Sequence, residues 1–169
     1  MTARPAIRIG ALVLAWAAAA AAGAAGTDVV RYPIPNSKFP ISLGVEVPAG
    51  RNLVFVSGQT PPVVDATAPK DSVAAYGDTK TQTIGVLHNI ETALKGMGLS
   101  MGDVVKMQVF LVADPAKGAR MDFAGMMEGY TQFFGTPQQP KLPARSAMQV
   151  VGLANPGFLV EIEVAAVRP

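Results

Sequence analysis

The sequence contains no cysteine and a single histidine, His88. The lack of cysteine excludes disulfide bridges, so residues 27–169 must fold on buried surface alone, for which that length is sufficient. Zinc sites normally draw on several histidine or cysteine ligands, so this composition predicts no metal site. The lone His88 is expected to lie at a surface or an interface.

The sequence also lacks an excess of charge once its first 26 residues are set aside. Those residues contain Arg4 and Arg8 and no acidic residue. Of the 14 Lys and Arg residues in the chain, all but these two fall in residues 27–169, where 12 Asp and Glu balance them. A formally neutral domain offers no basic surface, so we predict no nucleic-acid partner.

The first 26 residues have the pattern of a secretory signal peptide. Arg4 and Arg8 precede an uncharged, mostly apolar segment, residues 9–26, that ends in small residues. This predicts cleavage near Ala24 to Gly26 and a periplasmic or secreted protein with no membrane contact after cleavage. The alternative is an uncleaved anchor, for which the alanine-rich segment is marginally long but weakly hydrophobic. The predicted division is a signal peptide, 1–26, and one domain, 27–169.

Apolar periodicity divides the domain into strands and helices after an extended lead-in over residues 27–39. Two β-type runs flank a Pro/Gly-containing turn and predict a hairpin. The resulting order, β-β-α-β-α-β-β, indicates a two-layer α+β domain with both helices on one face of a mixed sheet, and the uncovered face predicts an oligomer. The predicted strands are 41–47, 53–57, 104–112, 147–151 and 159–166, and the predicted helices are 84–97 and 121–134.

Charged side chains near the C-terminus are candidates for a functional site. In the strand-like run 158–164, Glu161 and Glu163 share one face while the alternating residues of the other face are apolar. Arg145 stands between a proline turn and a strand start. Such groups can hold a small carboxylate and activate a water. The alternative is a solvated strand face and a surface arginine.

The chain resembles the RidA/YjgF/YER057c/UK114 family over about residues 39–168. Several segments carry the resemblance together, and any one of them alone would be weak. They are VSGQ at 56–59, HNI at 88–90, GLSMGDVVK at 98–106, YTQFF at 130–134, PARS at 143–146 and VEIEVAAVR at 160–168.

This resemblance implies a chorismate-mutase-like fold and a homotrimer with three clefts between subunits. It implies hydrolysis of reactive 2-imino acids, or their enamine tautomers, to 2-oxo acids and ammonia, with no cofactor. Arg145 would grip the carboxylate of the small 2-imino or 2-oxo acid through its planar guanidinium. Glu161 would orient or deprotonate a water as the catalytic residue. Ser57 would bind substrate in the cleft, or alternatively bond its own turn.

Three positions depart from the family pattern. RidA-type members have Tyr, Asn and Cys where this chain has Ile41, Met127 and Ala147. These apolar replacements leave a second hypothesis open. In it the protein is a binding module whose clefts hold a small carboxylate without converting it. The methionines and aromatic residues of the second helix are expected to fill the core or an interface: Met121, Met126, Met127, Tyr130, Phe133 and Phe134.

Overall fold

The computed structural model describes residues 26–169, so the predicted signal peptide lies outside the described residues except for Gly26. None of the helices in residues 26–169 is long and apolar enough to cross a membrane. The elements are β1 Val30–Pro33, β2 Ser42–Glu46, β3 Leu53–Gln59, α1 Thr79–Gly96, β4 Val104–Val112, α2 Phe123–Tyr130, β5 Ala144–Val150 and β6 Val160–Val167.

The strands form one mixed sheet in the order β1-β2-β5-β4-β6-β3. β4 occupies the centre, where it pairs parallel to β5 and antiparallel to β6. Both helices cover the same side of this sheet, and their apolar faces share one core with β4 and β6. The predicted two-layer α+β class is confirmed, as is the order of the seven elements from β2 onward.

The predicted hairpin between the first two strands is wrong. β2 and β3 lie near opposite ends of the sheet, because β2 pairs with β1 and β5 whereas β3 pairs with β6. The turn chemistry of residues 48–52 reverses the chain but does not select its partner. Burial selects it: Val56 of β3 lies opposite Val164 of β6, and both side chains enter the core.

The lead-in, expected to be merely extended, contributes strand β1. Val30 pairs with Glu46, so β1 is the antiparallel partner of β2. The predicted hairpin had assigned that position to β3. Arg31 fixes this edge by donating hydrogen bonds to the carbonyl oxygens of Gly102, Val104 and Leu142 at 2.7–3.0 Å. A guanidinium has five N–H donors, so one arginine side chain can bond carbonyl oxygens of several segments at once. Such contacts leave no periodic pattern in the sequence.

α1 owes its limits to local signals and its position to its apolar stripe. Asp78 caps the N-terminus by accepting a hydrogen bond from the Thr81 amide at 2.8 Å. Gly98, with φ of +70°, reverses the chain just beyond the C-terminus. The buried stripe between these ends consists of Val86, Leu87, Ile90 and Leu94.

Alternation along β4 separates the two faces of the sheet. Met107, Val109 and Leu111 are fully buried beneath the helices, on what we call the covered face. Lys106, Gln108 and Phe110 point to the opposite side, the open face, which no element of residues 26–169 covers. The core therefore lies entirely between the covered face and the helices.

Candidate functional site

The structure places Arg145 and Glu161 on opposite faces of the sheet. Arg145 of β5 pairs with Met107, whose side chain is on the covered face. Glu161 of β6 pairs with Phe110, whose side chain is on the open face. Because directly paired residues point to the same side of a sheet, the two candidate residues face away from each other.

The strand register also sets how far apart they lie. β5 and β6 flank β4 on either side, and their partners Met107 and Phe110 are three residues apart along it. With strands about 4.8 Å apart and a rise of about 3.3 Å per residue, the two Cα atoms are separated by roughly 14 Å. One small substrate cannot touch both side chains within a single copy of the chain.

Arg145 lies in an apolar pocket between β5, α2 and the segment before β2. Its Cζ atom is 4.3 Å from the ring centroid of Tyr130, 5.6 Å from that of Phe39 and 5.9 Å from that of Phe123. The sulfur atoms of Met126 and Met127 lie 3.8 Å and 3.1 Å from its terminal nitrogens. These aromatic faces attract the cation but leave its hydrogen-bonding fork without a strong acceptor.

The electrostatics of this pocket favour an anion. Arg145 forms no ion pair with any described residue, and burial lowers its pKa while neighbouring Tyr130 acts weakly in the opposite direction. Guanidinium remains protonated at physiological pH in spite of such a shift. A half-buried cation that meets only thioether and aromatic groups is suited to a bidentate carboxylate.

Tyr130 forms the floor of the pocket and stays neutral. Its side chain is fully buried and its hydroxyl donates to the Pro40 carbonyl oxygen at 2.9 Å. Burial raises its pKa well above the usual tyrosine range, and the nearby cations Arg145 and Arg31 oppose that rise. Tyr130 thus ties α2 to the segment carrying Phe39 and supplies an aromatic face rather than a charge.

Glu161 occupies a different setting on the open face. Its carboxylate lies over Gly58, where a Cβ atom built on the glycine would overlap it. The β3–β6 ladder is interrupted between Val56 and Gln59, so Gly58 sits in an irregular segment that bends the strand end. The missing side chain at position 58 makes room for the Glu161 carboxylate.

Ser57 and Glu163 lie beside Glu161 on the same face. Ser57 is exposed and shares a shallow cleft of about 450 Å³ with Lys106, Gln108 and Glu163. Glu163 accepts a hydrogen bond from the Gln108 side chain, which occupies it. Glu161 has no such partner among the described residues, so it is the carboxylate available to a water.

The structure brings the predicted residues together in two groups. Ser57 and Glu161 share the open face, whereas Arg145 stands apart in the pocket beside α2. His88 is exposed against the edge of Phe133, 4.9 Å between ring centroids, as expected for a surface role. Residues of the candidate site that the sequence did not reveal are Phe39, Phe123 and Gly58.

No local pattern could have revealed the two phenylalanines, since they are far apart in sequence and meet only in the folded chain. Gly58 belonged to a recognisable motif, but its contact with Glu161 depends on the β3–β6 pairing. Met126, Met127 and Tyr130 were expected to fill the core or an interface. Met126 and Tyr130 are buried as predicted, and all three also contact Arg145.

Known proteins resemble this chain over most of the residues that the structure describes. Residues 40–168 match the family model described as endoribonuclease L-PSP. A RutC family protein of Pyrococcus horikoshii is 35% identical over 133 residues, covering 79% of this chain and 93% of that protein. A 2-iminobutanoate/2-iminopropanoate deaminase of Salmonella typhimurium is 37% identical over 117 residues, covering 69% and 80%.

Solved structures show the same architecture. The crystal structure of Escherichia coli TdcF with bound serine is 34% identical in sequence, with a TM-score of 0.54. The alignment covers 82% of this chain and 94% of that one. The family-model match over residues 40–168 spans β2 to β6, both helices and the segments that carry Arg145 and Glu161.

Proposed function

The chain belongs to the RidA/YjgF family, and from that premise we propose that it hydrolyses reactive 2-imino acids, or their enamine tautomers, to 2-oxo acids and ammonia. The deaminase name of the Salmonella relative supports the reaction class. In this proposal Arg145 binds the substrate carboxylate, Glu161 activates water and Ser57 donates a hydrogen bond in the cleft. No cofactor is required, because an imine is already electrophilic.

The observation that carries the proposal is that each face of the sheet, in the part of the chain that the structure describes, holds one charged side chain without a charged or strong hydrogen-bonding partner. Among residues 26–169, Arg145 meets no anion in its pocket and Glu161 meets no hydrogen-bond donor on the open face. A second copy of the chain can complete both by bringing its open face to the first copy's Arg145 pocket. We therefore propose a homotrimer with the sites between copies, in which three equivalent contacts close a ring.

The chemistry follows from these two groups. Arg145 fixes the carboxylate bidentately, so that C2 of the imine has one orientation toward Glu161. The water oxygen bonds to C2 as the C=N π electrons move to nitrogen, and Glu161 takes one proton from the water and passes it to that nitrogen. Collapse of the resulting carbinolamine restores a C=O bond and expels ammonia. One water is consumed for each 2-oxo acid and ammonia formed.

A Glu161→Gln variant tests this assignment directly. An amino-acid oxidase generates the imine, and the rate of imine loss is measured with the purified protein. Glutamine cannot accept a proton, so hydrolysis should fall by roughly a hundredfold or more while binding of a 2-oxo acid persists. Glu163→Gln is the matched control, because Glu163 lies on the same face but is engaged by Gln108.

The alternative is a non-catalytic binding module of the same fold. The apolar residues at positions 41, 127 and 147 favour it, because they replace polar groups around the carboxylate site. If wild type and Glu161→Gln are equally inactive on every imine while Arg145-dependent binding persists, the binding module is correct. The name of the family model also raises RNA cleavage, but the neutral charge of residues 27–169 offers no electrostatic basis for RNA binding.

A further inference from the structure

We propose that Phe39 and Phe123 form a side-chain subsite next to Arg145 that selects 2-imino acids with bulky apolar side chains. This inference rests on the proposed function, since it names the substrate class of the same site. Under it, imines derived from leucine, methionine or phenylalanine are better substrates than the imine of alanine. Phe39 and Phe123 thereby determine specificity and take no part in the chemistry.

The two rings stand together at the entrance of the Arg145 pocket. Their centroids are 6.4 Å apart with an interplanar angle of 10°, and each lies within 6 Å of the guanidinium carbon. They come from separate elements, since Phe39 precedes β2 and Phe123 begins α2. A ligand whose carboxylate is bound by Arg145 can therefore rest its side chain against these rings.

Both rings are more exposed than large apolar side chains usually are. Phe39 is 39% exposed and Phe123 is 37% exposed, whereas Met126 and Tyr130 of the same pocket are fully buried. Exposed aromatic surface beside a cation without an anion is complementary to a molecule that carries a carboxylate at one end and an apolar group at the other. Binding of such a molecule would remove this surface from water.

Within one copy, the other described groups around the guanidinium offer no strong hydrogen-bond partner to a polar side chain. Met126 and Met127 present thioethers, and the Tyr130 hydroxyl is already donated to the Pro40 carbonyl. Ala147 follows Arg145 on the same face of β5 and adds only a methyl group. A substrate with a hydroxyl, amide or second carboxylate in its side chain would lose hydration here without gaining a partner.

The expected size of the preference follows from apolar transfer. Each buried methylene favours binding by roughly fourfold, and the side chain of leucine exceeds that of alanine by three carbons. Because the two rings stay partly exposed to solvent, the gain per carbon is smaller than this. We therefore expect kcat/KM for the leucine imine to exceed that for the alanine imine by roughly tenfold. The difference should appear mainly in KM, because the rings contact the side chain in the ground state and the transition state alike and take no part in the chemistry at C2.

The test measures imine hydrolysis and 2-oxo acid binding on the full-length protein and on two variants, Phe39→Ala and Phe123→Ala. Leucine and alanine imines are compared on each preparation, together with calorimetric binding of their 2-oxo acids. The ratio between two substrates on one preparation does not depend on how much protein is folded. Val63→Ala, an exposed apolar residue in a loop away from Arg145, is the control.

In the wild type and in Val63→Ala, the leucine-derived compounds should be preferred roughly tenfold, and each phenylalanine variant should bring that ratio close to one. Hydrolysis with no preference, or with a preference for the alanine imine, would overturn the subsite and leave the proposed function intact. If no imine is hydrolysed but the leucine 2-oxo acid binds more tightly in a Phe123-dependent manner, the subsite stands and the deaminase proposal falls.

Discussion

The Nη2 atom of Arg145 lies 3.1 Å from the sulfur of Met127. A thioether is among the weakest acceptors that a protein offers to a guanidinium. The contact therefore fills space beside the cation without satisfying it, and a carboxylate can displace it at little cost. The family resemblance implies an asparagine at this position, so Met127 gives the cation an apolar neighbour where that pattern has a polar one.

Replacement of Arg145 should weaken carboxylate binding in two steps. Arg145→Lys keeps the charge but loses the bidentate fork, and Arg145→Ala loses both. The alanine variant should bind a small 2-oxo acid roughly ten- to a hundredfold more weakly, with the lysine variant in between. Isothermal titration gives the affinities, and Arg120→Ala, at an exposed arginine, should change nothing. Unaltered binding in Arg145→Ala would remove the anchor from the proposal.

A methyl group at Gly58 should displace the Glu161 carboxylate. The added Cβ of Gly58→Ala would overlap that carboxylate, so Glu161 must rotate away. We expect hydrolysis to fall at least tenfold with 2-oxo acid binding retained, because Arg145 is on the other face. Gly96→Ala is the control, since nothing lies within 4 Å of a Cβ at that helical position. Equal rates for both variants would show that the position of Glu161 is immaterial.

Two inactive variants should restore activity to each other. If each site takes Arg145 from one copy and Glu161 from the next, a random mixture of Arg145→Ala and Glu161→Gln subunits contains intact sites. Random assembly leaves roughly one quarter of them with both wild-type residues. The variants are unfolded together, refolded and assayed, with separately refolded samples mixed afterwards as the control. Light scattering should give about three times the subunit mass, and a stable monomer without recovery would contradict the shared site.

Removal of the Tyr130 hydroxyl should affect stability in a pH-dependent way. Tyr130→Phe leaves the Pro40 carbonyl without its donor, which should cost about 1–2 kcal/mol of unfolding free energy at neutral pH. Burial raises the pKa of Tyr130 in the folded state above its unfolded-state pKa, which is near 10. The contribution of Tyr130 to the unfolding free energy is therefore complete below about pH 10 and declines as the pH rises toward the folded-state pKa. Urea unfolding should show a shallower decline above pH 10 in the variant. A parallel decline in both proteins would contradict the shift.

Export is tested by the N-terminus of the protein recovered from cells. If residues 1–26 are a cleaved signal peptide, protein from the extracytoplasmic fraction should begin between Ala25 and Asp28. Edman sequencing or intact-mass measurement distinguishes this from the uncut chain. Recovery of the uncut chain in the cytoplasm would mean that the basic and apolar N-terminal segment is not a signal.

Features that depend on neighbouring residues were predictable from the sequence. The strand 104–112 has the predicted bounds, because each inward residue from Met107 to Leu111 alternates with an outward one. The same alternation correctly assigned Glu161 and Glu163 to the face without helices. Both helices were found from their apolar spacing, although the observed ends differ by several residues because caps and turns set them.

Features that depend on pairing between distant segments were not predictable. A turn at residues 48–52 is compatible with a hairpin or with a crossing to another part of the sheet, and only the burial of Val56 opposite Val164 decides. β5 has no clear alternation of the kind seen in β6, so the sequence placed Glu161 but could not say that Arg145 lies on the face with the helices. Their separation follows from the register of both strands against β4.

The position of β6 inside the sheet governs when the chain can fold. β6 follows every other element along the chain, yet it lies between β4 and β3 and gives β3 its only described strand partner. Leu53 must therefore wait for Val167, more than a hundred residues later, before its strand is paired. A domain with such high contact order gains little from folding while it is still being synthesised. The nascent chain should stay protease-sensitive until β6 has left the ribosome.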